Sequence, residues 1–250
     1  MTMSLSGKQA LVTGGGTGIG AAIALALAEA GVKTVICGRR HEPIEATAAR
    51  NANITPSIAD VTDPESVAEL YRHGPFDIVV ANAGGTRSAP FEKISSELWA
   101  ETLNLNLTGA FNTVQPAIAG MRERRFGRII FIASTAGLKP YAYVAPYVAA
   151  KHGVVGLARA LALETVKDGI TVNAICPGYT DTPLYERAVQ RIASAGKRSE
   201  TDARAAIAAH NPQGRIIAPQ EVAGAALWLC AEASAGITGQ AISVSGGETW

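Results

Sequence analysis

The stretch Gln9-Ala-Leu-Val-Thr-Gly-Gly-Gly-Thr-Gly-Ile-Gly20 decides the fold, because it joins a short apolar run to a glycine-rich turn and a helix. Its first five residues have the composition typical of a buried parallel strand. Beyond the glycines, apolar residues recur at positions 19, 22, 23, 26, 27 and 30, which places them on one face of a helix. A strand, a tight turn and a helix in this order predict the first unit of a layered α/β fold.

The same alternation of short apolar runs and helical segments continues along the chain. We predict further strands at 33–37, 76–81, 128–133 and 170–175, with weaker ones at 54–58 and 241–244. Helical periodicity fills the segments at roughly 63–72, 96–121, 145–166 and 219–230. The sequence therefore predicts an α/β protein with a doubly wound parallel sheet of about seven strands and helices on both faces, a Rossmann fold.

Composition excludes several other classes of protein. The 250 residues are 48% hydrophobic and 17% charged, which excludes a disordered or collagen-like chain. Because the net charge is +1 and no basic stripe is visible, we expect no nucleic-acid partner. No apolar run reaches the about 18 residues of a membrane span. The three scattered cysteines favour a reducing compartment and no metal site. Together with the chain length and the lack of a membrane span, they lead us to expect a single cytoplasmic domain over residues 1–250.

Residues 180–212 interrupt the alternation, since they are helical by propensity and contain no strand pattern. We interpret them as a small helical flap that closes over bound ligand and is the most mobile part of the ligand-free protein. Leu184 can face inward, whereas Lys197 and Arg198 can stay in water. The alternative for these two basic residues is contact with the phosphates of a CoA thioester.

The turn after the first strand has the features of a pyrophosphate site. Gly14 permits the tight turn, and Gly18 and Gly20 let the backbone approach an anion at the N-terminus of the helix. Glycine also collects in ordinary turns, but the position between a strand and an amphipathic helix favours a dinucleotide. The chain has no GxxxxGK segment, so a nucleoside-triphosphate loop is not supported.

The end of the second strand bears on which dinucleotide is bound. Proteins that bind NAD place an acidic side chain near this point for the ribose hydroxyls. Here Gly38 is followed by Arg39 and Arg40, and guanidinium groups suit the additional 2′-phosphate of NADP. We therefore favour NADP(H), with NAD(H) as the alternative if the two arginines only begin a solvated helix.

Ser134, Tyr147 and Lys151 form a candidate catalytic set. Ser134 follows the strand at 128–133, at the edge where open α/β sheets bind ligands. The spacing of Tyr147 and Lys151 places both on one face of a helix. A phenol with a pKa near ~10 is a poor acid at neutral pH, but a cation nearby lowers that pKa. We therefore predict that Lys151 lowers the pKa of Tyr147, which acts as the general acid–base.

Together these motifs resemble the short-chain dehydrogenases/reductases, and the resemblance runs over essentially the whole chain. It is nearest to 3-oxoacyl reductases, polyketide ketoreductases and 3-hydroxybutyrate dehydrogenases. One departure is Ala81, which stands where the family often has an asparagine before Asn-Ala-Gly. The matching motifs are Thr13-Gly-Gly-Gly-Thr-Gly-Ile-Gly20, Asp60-Val61, Asn82-Ala83-Gly84, Asn106-Leu-Thr-Gly109, Ser134, Tyr147-x-x-x-Lys151, Pro177-Gly178 through Thr182, Ile237-Thr-Gly239 and Gly246-Gly247.

The resemblance implies a catalytic role for each matching polar residue. Tyr147 would exchange a proton with the substrate oxygen, and Ser134 would polarise that oxygen. Lys151 would lower the pKa of Tyr147 and hold the nicotinamide ribose. Asn106 would fix a water that links Lys151 to solvent, a role favoured over Asn104 by the Asn-x-x-Gly spacing.

The resemblance also implies a cofactor site that extends over most of the sheet edge. Asp60 would meet the adenine, and Thr182 would help Pro177 and Gly178 to seat the nicotinamide carboxamide. The residues expected to bind the cofactor are Gly14, Thr17, Gly18, Ile19, Gly20, Arg39, Arg40, Asp60, Val61, Asn82, Ala83, Gly84, Tyr147, Lys151, Pro177, Gly178, Thr180 and Thr182.

The residues around Tyr147 also limit the substrate. Hydroxybutyrate dehydrogenases hold a free carboxylate with three polar residues, and the matching positions here are Thr86, Ala136 and Val144. None can pair with a carboxylate, whose burial would be costly. We expect an apolar pocket for a neutral ketone, a secondary alcohol or a 3-oxoacyl thioester. Its predicted lining is Ser134, Ala136, Tyr141, Val144, Tyr147, Tyr179 and Leu184.

Other functions and interpretations stay open at this point. The chain could be a dinucleotide-binding regulator without turnover, or a catabolic NAD-dependent hydroxyacyl or alcohol dehydrogenase. The intact catalytic set favours an enzyme, because a regulator needs only the glycine turn. His152 points away from the Tyr147 face. A solvated helix end, where positive charge complements the helix dipole, is favoured over a docking patch for an acidic carrier protein in the case of Arg122, Arg124, Arg125 and Arg128. The apolar long helices and the resemblance both favour a homotetramer.

Overall fold

One sheet of seven parallel strands forms the centre of the structure, a computed structural model that describes residues 5–196 and 199–249. The strand order is 3-2-1-4-5-6-7, so the chain reverses its direction of travel between β1 and β4. Ligands of open α/β sheets bind at such a switch point. The strands are β1 Gln9–Thr13, β2 Lys33–Gly38, β3 Ile54–Ile58, β4 Ile78–Ala81, β5 Gly127–Ile132, β6 Ile170–Pro177 and β7 Ala241–Val244.

Helices cover both faces of this sheet, so the predicted doubly wound fold is confirmed. Val12 in β1 packs in one apolar cluster with α1 and α10, whereas its neighbour Leu11 packs in the other with α6 and α7. The helices are α1 Gly18–Glu29, α2 His41–Ala48, α3 Pro64–Leu70, α4 Ser96–Leu103, α5 Gly109–Val114, α6 Ala117–Arg124, α7 Ala145–Thr165, α8 Pro183–Gly196, α9 Glu200–Ala208 and α10 Pro219–Cys230.

The sequence pattern of each strand follows from its place in the sheet. The central strands β1, β4, β5 and β6 are mainly apolar and almost completely buried because helices cover both of their faces. β3 lies at one edge and carries Pro56 opposite Ile36. Proline cannot donate a hydrogen bond to a further strand, so it is tolerated at an edge.

The predicted continuous helix over 96–121 is wrong. The segment divides into α4, a π-helical turn at Asn104–Thr108, α5 and α6. Pro116 explains the break between α5 and α6, because it has no N–H group to continue the helical hydrogen bonds. The π turn places Asn106 toward the interior, where its side-chain amide donates to the carbonyl of Thr102 at 2.9 Å.

Two arginines at the end of α6 form ion pairs, and a third arginine nearby, in β5, is buried. Arg122 and Arg124 pair with Asp168 and Asp77 at 2.9 and 3.3 Å. Arg128 lies in β5, is 3% exposed and donates to backbone carbonyls. The predicted solvated helix end is therefore wrong for Arg128, and the other two tie α6 to neighbouring segments.

The flap segment forms two helices with a small apolar core of its own. Tyr185 and Val189 of α8 pack against Ala203 and Ile207 of α9, so the predicted helical flap is present. Lys197 and Arg198, which we considered for contact with CoA phosphates, lie outside the described residues. The expected mobility of the flap stays a prediction.

Two further findings concern membrane-spanning helices and the state of the cysteines. In the described part of the chain, no helix combines the length and the hydropathy that a bilayer crossing requires. Cys37, Cys176 and Cys230 are all buried as free thiols.

Candidate active site

The glycine-rich turn joins the carboxyl end of β1 to the first turn of α1. Gly20 has no room for a side chain, since a Cβ there would lie 2.3 Å from the carbonyl oxygen of Gly14. The glycine turn and the first turn of α1 thus pack closely together, and the first N–H groups of a helix have no partner within it. Such groups and the helix dipole favour an anion, so the turn fits a pyrophosphate.

Asn82 positions this turn. Its side-chain amide donates to the carbonyl oxygens of Thr13 at 2.8 Å and Gly14 at 3.3 Å. In return, the Thr13 hydroxyl accepts hydrogen bonds from the backbone N–H groups of Asn82 and Ala83. The carboxyl ends of β1 and β4 are thus locked together, which assigns Asn82 a positioning contact, whereas Ala83 and Gly84 line the neighbouring cavity.

A cavity of about 210 Å³ opens between the turn and the ends of β2 and β3. Its walls are mainly small residues, so a flat ring can enter between them. Ile19 is not among the lining residues; it packs against the apolar core beneath the turn. The predicted cofactor residues that line the cavity are Gly14, Thr17, Arg39, Arg40, Asp60, Val61, Ala83 and Gly84.

Arg39 and Asp60 face each other at the rim of this cavity. A guanidinium nitrogen of Arg39 lies 3.8 Å from a carboxylate oxygen of Asp60. Burial alone would raise the pKa of Asp60, but hydrogen bonds from Thr62 and the charge of Arg39 lower it overall. Asp60 is therefore a carboxylate, and Arg39 is the cation that offsets its charge.

Ser134, Tyr147 and Lys151 meet at the carboxyl end of β5. Ser134 follows the strand, and its hydroxyl accepts the backbone N–H of Ala136 at 3.1 Å. Tyr147 lies in the first turn of α7, and the Lys151 ammonium lies 5.6 Å from the centre of its ring. The ammonium also donates to the carbonyl of Ile132 at 2.8 Å. The predicted set therefore shares one place in the structure.

Burial controls the protonation of Tyr147 and Lys151 in this ligand-free form. It raises the pKa of Tyr147 to about 12, although a hydrogen bond with Ser134 opposes the rise. It lowers the pKa of Lys151 to about 8. The predicted lowering of the Tyr147 pKa is therefore wrong for this state, because loss of water disfavours the phenolate more than its surroundings stabilise it. Tyr147 is a neutral phenol, ready to give a proton.

Asn106 lies beside Lys151, inside the π-helical turn. Its amide group donates to the Gly85 carbonyl and accepts the Gly85 N–H at 2.9 and 3.1 Å. A Cβ on Gly84 would lie 2.7 Å from the Asn106 side-chain oxygen and 3.6 Å from the Lys151 nitrogen. Asn104 is exposed and His152 bonds back to its own helix, so Asn106 is the asparagine next to the catalytic set.

The end of β6 connects the site to the flap. The Thr180 hydroxyl donates to the carbonyl of Gly178 at 3.0 Å, and Thr182 donates to Thr180 at 3.1 Å. The methyl group of Thr182 lies over the glycine turn, 2.8 Å from where a Gly18 Cβ would stand. Pro177, the last residue of β6, is buried. This segment therefore borders the glycine turn and continues the end of β6.

Charged residues lie beside the predicted substrate lining, whose apolar character stays a prediction. Ala136 is buried and Val144 and Leu184 are partly buried, as an apolar lining requires. The Tyr141 hydroxyl, however, bonds to Thr135 and donates to the carboxylate of Glu248. The ring of Tyr179 packs against a histidine, and burial raises its pKa, helped by the charge of Glu248.

No sequence motif marks Lys139 or His210 as a site residue, and Glu248 lies outside the predicted set. Lys139 lies 3.0 Å from a carboxylate oxygen of Glu248, and a ring nitrogen of His210 lies 4.0 Å from the same atom. A signal existed for Glu248 alone. It follows Gly246 and Gly247 just after β7, at the carboxyl end of the sheet, where the glycine turn and Ser134 also lie.

Comparisons with known proteins agree on one family. A family model described as short chain dehydrogenase matches residues 8–193. The chain is 39% identical to a granaticin polyketide synthase putative ketoacyl reductase from Streptomyces violaceoruber, over 95% of this chain and 92% of that protein. It is 38% identical to an acetoacetyl-CoA reductase from Rhizobium meliloti, with 96% and 98% covered.

A solved structure extends the similarity to the fold. A variant of actinorhodin polyketide ketoreductase with NADPH superposes with a TM-score of 0.92 at 36% identity, over 99% of both chains. The similarity thus includes the sheet, the glycine turn and the flap, and it covers proteins that are named as ketoacyl reductases.

Proposed function

This chain belongs to the short-chain dehydrogenase/reductase family, and we propose that it uses NADPH to reduce the ketone of a 3-oxoacyl thioester. Its class is that of a nicotinamide-dependent oxidoreductase. The observation that carries the proposal is the meeting of Ser134, Tyr147 and Lys151 beside an anion-binding turn. A regulator without turnover would need the turn but not the catalytic set.

The chain's residues supply the proton and the positioning for this reaction. When bound, the cofactor supplies a hydride from C4 of its nicotinamide to the carbonyl carbon. The Tyr147 hydroxyl donates its proton to the carbonyl oxygen, and Ser134 donates a hydrogen bond to the same oxygen. The phenolate left on Tyr147 is stabilised by the ammonium of Lys151 nearby, since opposite charges in a partly dry site attract strongly.

The choice of NADPH rests on Arg39 and on the end of β2. Gly38 ends the strand without a carboxylate, and Arg39 stands at the cavity rim with its side chain 67% exposed. An exposed guanidinium fits a 2′-phosphate through paired, charge-assisted hydrogen bonds. The neighbouring Asp60 would repel that phosphate if Arg39 did not offset its charge.

Replacing Arg39 by alanine should raise the KM for NADPH about tenfold or more and change the KM for NADH less than about twofold, because a hydrogen bond to a charged group contributes about 1.5–3 kcal/mol. Steady-state kinetics with both cofactors measure this. The matched control is Arg72→Ala, since Arg72 forms an exposed ion pair with Glu69 away from the cavity. Equal changes for both cofactors would contradict the assignment of Arg39 to the phosphate.

The substrate proposal combines the surroundings of Tyr147 with the similar proteins. Thr86, Ala136 and Val144 offer no cation for a free acid at the predicted positions. The relatives named ketoacyl reductase and acetoacetyl-CoA reductase act, by name, on 3-oxoacyl groups. The test is NADPH oxidation with acetoacetyl-CoA, its short N-acetylcysteamine thioester and simple ketones; turnover of simple ketones alone would contradict the thioester class.

We propose in addition that the protein is a homotetramer. Trp99, Phe111 and Leu163 leave large apolar surfaces exposed on α4, α5 and α7, with Leu163 80% exposed. Contiguous exposed apolar surface favours subunit contact. Sedimentation velocity should give a tetramer at micromolar concentration, and Leu163→Glu should shift it toward smaller species. A stable monomer of the unmodified protein would contradict the proposal.

The free thiols also support a place in the cytoplasm. Cys37, Cys176 and Cys230 have no disulfide partner among themselves. Free thiols persist in reducing compartments, and we therefore propose that the enzyme acts there.

A further inference from the structure

Two donors and a nearby imidazole ring surround one carboxylate oxygen at the substrate side of the site. The Oε1 atom of Glu248 accepts a hydrogen bond from the Tyr141 hydroxyl, lies 3.0 Å from the Lys139 ammonium and lies 4.0 Å from a His210 ring nitrogen. Lys139 and Tyr141 lie between β5 and α7, and His210 follows α9. Separate segments therefore build a cradle for an anion, defined here as the Lys139–Tyr141–His210 cradle.

The occupant of this cradle is buried more deeply than the groups that hold it. The Glu248 side chain is 1% exposed, whereas Lys139 and His210 are 33% and 47% exposed. Among the described residues, the second oxygen of Glu248, Oε2, has no hydrogen-bond partner. A buried, half-satisfied carboxylate is costly, so the cradle must compensate for it through the first oxygen.

A short glycine tail brings Glu248 into the cradle. Gly247 has a φ of +93°, a left-handed conformation that reverses the chain just after β7. Beside it, Gly246 lies so close to Asn211 that a Cβ would stand 2.0 Å from the Asn211 side-chain oxygen. The tail is therefore pressed against the end of the flap, next to His210.

The cradle borders the reacting groups. The Tyr141 hydroxyl lies 2.7 Å from that of Thr135, the residue after Ser134. On the other side, a Cβ on Gly178 would stand 3.0 Å from Oε2 of Glu248, and the ring of Tyr179 lies 5.7 Å from that of His210. An anion in the cradle would thus lie beside the segments that carry Ser134 and Gly178.

We propose that the Lys139–Tyr141–His210 cradle is a carboxylate-binding site of the substrate pocket, and that Glu248 fills it so that free 3-oxo acids are rejected. Neutral esters and thioesters do not need the cradle and are accepted. This inference deepens the proposed function and rests on it. It makes Glu248 a specificity-determining residue for the class of 3-oxoacyl substrate.

The competing interpretation is purely structural, with Glu248 as a clamp between the tail and the flap. Loss of a clamp would lower the melting temperature and reduce turnover of acids and esters alike. Loss of a carboxylate that competes with substrate would instead raise kcat/KM for an acid relative to kcat/KM for its ester. The ratio therefore separates the two interpretations.

The experiment compares acetoacetate with ethyl acetoacetate, which differ in charge at one end. We expect Glu248→Ala to raise the ratio of kcat/KM for the acid to that for the ester about tenfold or more, because a charged hydrogen bond contributes about that factor. Glu248→Gln, which keeps the side-chain volume, should raise it less. Glu164→Ala, at the opposite end of α7, should leave the ratio unchanged.

A second substitution assigns the gain to the cradle. In Lys139→Met with Glu248→Ala, the gain for acetoacetate should be lost. A gain that persists without Lys139, or an unchanged ratio in both Glu248 variants, would overturn the inference.

A binding measurement keeps this test independent of the proposed function. By calorimetry, acetoacetate should bind to Glu248→Ala and not to the unmodified protein. If the unmodified protein reduces no ester and no thioester, the proposed function is wrong. Binding of acetoacetate to Glu248→Ala but not to the unmodified protein would still support the cradle. Equal binding to both proteins would overturn it.

Discussion

Tyr147→Phe should reduce kcat for ketone reduction by about 10² to 10⁴, the factor that general acid–base catalysis supplies. The change removes one hydroxyl and keeps the ring that packs at the start of α7. Because the pKa of Tyr147 is raised to about 12 by burial, the phenol is protonated across the working pH range. Phenylalanine offers no proton at this position, so the substrate oxygen loses its proposed proton donor.

Steady-state kinetics and NADPH binding by fluorescence together measure this effect. The matched control is Tyr143→Phe, since Tyr143 is 65% exposed and lies in the loop just before α7. We expect the Tyr147 variant to bind NADPH and to keep its melting temperature within a few degrees. Turnover near that of the unmodified enzyme would contradict the assignment of the acid.

Lys151→Met should reduce kcat by about 10² to 10³, the usual cost of removing one group that stabilises charge in the transition state. Its ammonium is buried, donates to the carbonyl of Ile132 and lies close to the Tyr147 ring. Burial lowers the pKa of Lys151 to about 8. The charge is therefore present below that pH and is lost as the pH rises through it.

The unmodified enzyme should accordingly lose reductive kcat/KM above about pH 8, while Tyr147 does not titrate until a much higher pH. In Lys151→Arg the guanidinium stays charged, so the alkaline decrease should move to higher pH. The pH profile of kcat/KM measures both. A decrease at the same pH in Lys151→Arg would contradict Lys151 as its source.

Most of the fold could be predicted because the signal is local. Buried parallel strands are short, apolar and bounded by turn residues, and all seven lie where the sequence indicates them. Within 96–121, Pro116 marks one break in the sequence, but the π-helical turn at Asn104–Thr108 could not be predicted because the apolar period continues through it. The π turn depends on Asn106 bonding to Gly85, a contact between distant segments.

The catalytic set could be predicted for the same reason, since Tyr147 and Lys151 lie on one helix and Ser134 ends a strand. The pKa of Tyr147 could not, because it depends on how much water the assembled site excludes. Glu248, Lys139 and His210 come from distant parts of the sequence. None of the three has a sequence motif beside it, and only the folded chain brings them into contact.

The central claim is hydride transfer to a 3-oxoacyl ketone with a proton from Tyr147. Its most direct test is mass spectrometry of the product formed from acetoacetyl-CoA and NADPH that carries deuterium at C4 of the nicotinamide, prepared separately for each face. We expect the unmodified enzyme to form a 3-hydroxybutyryl thioester with one deuterium at C3 from one of the two labelled cofactors. Tyr147→Phe should form no such product on the same timescale. A product without deuterium from either cofactor, or labelled product formed equally fast by Tyr147→Phe, would contradict it.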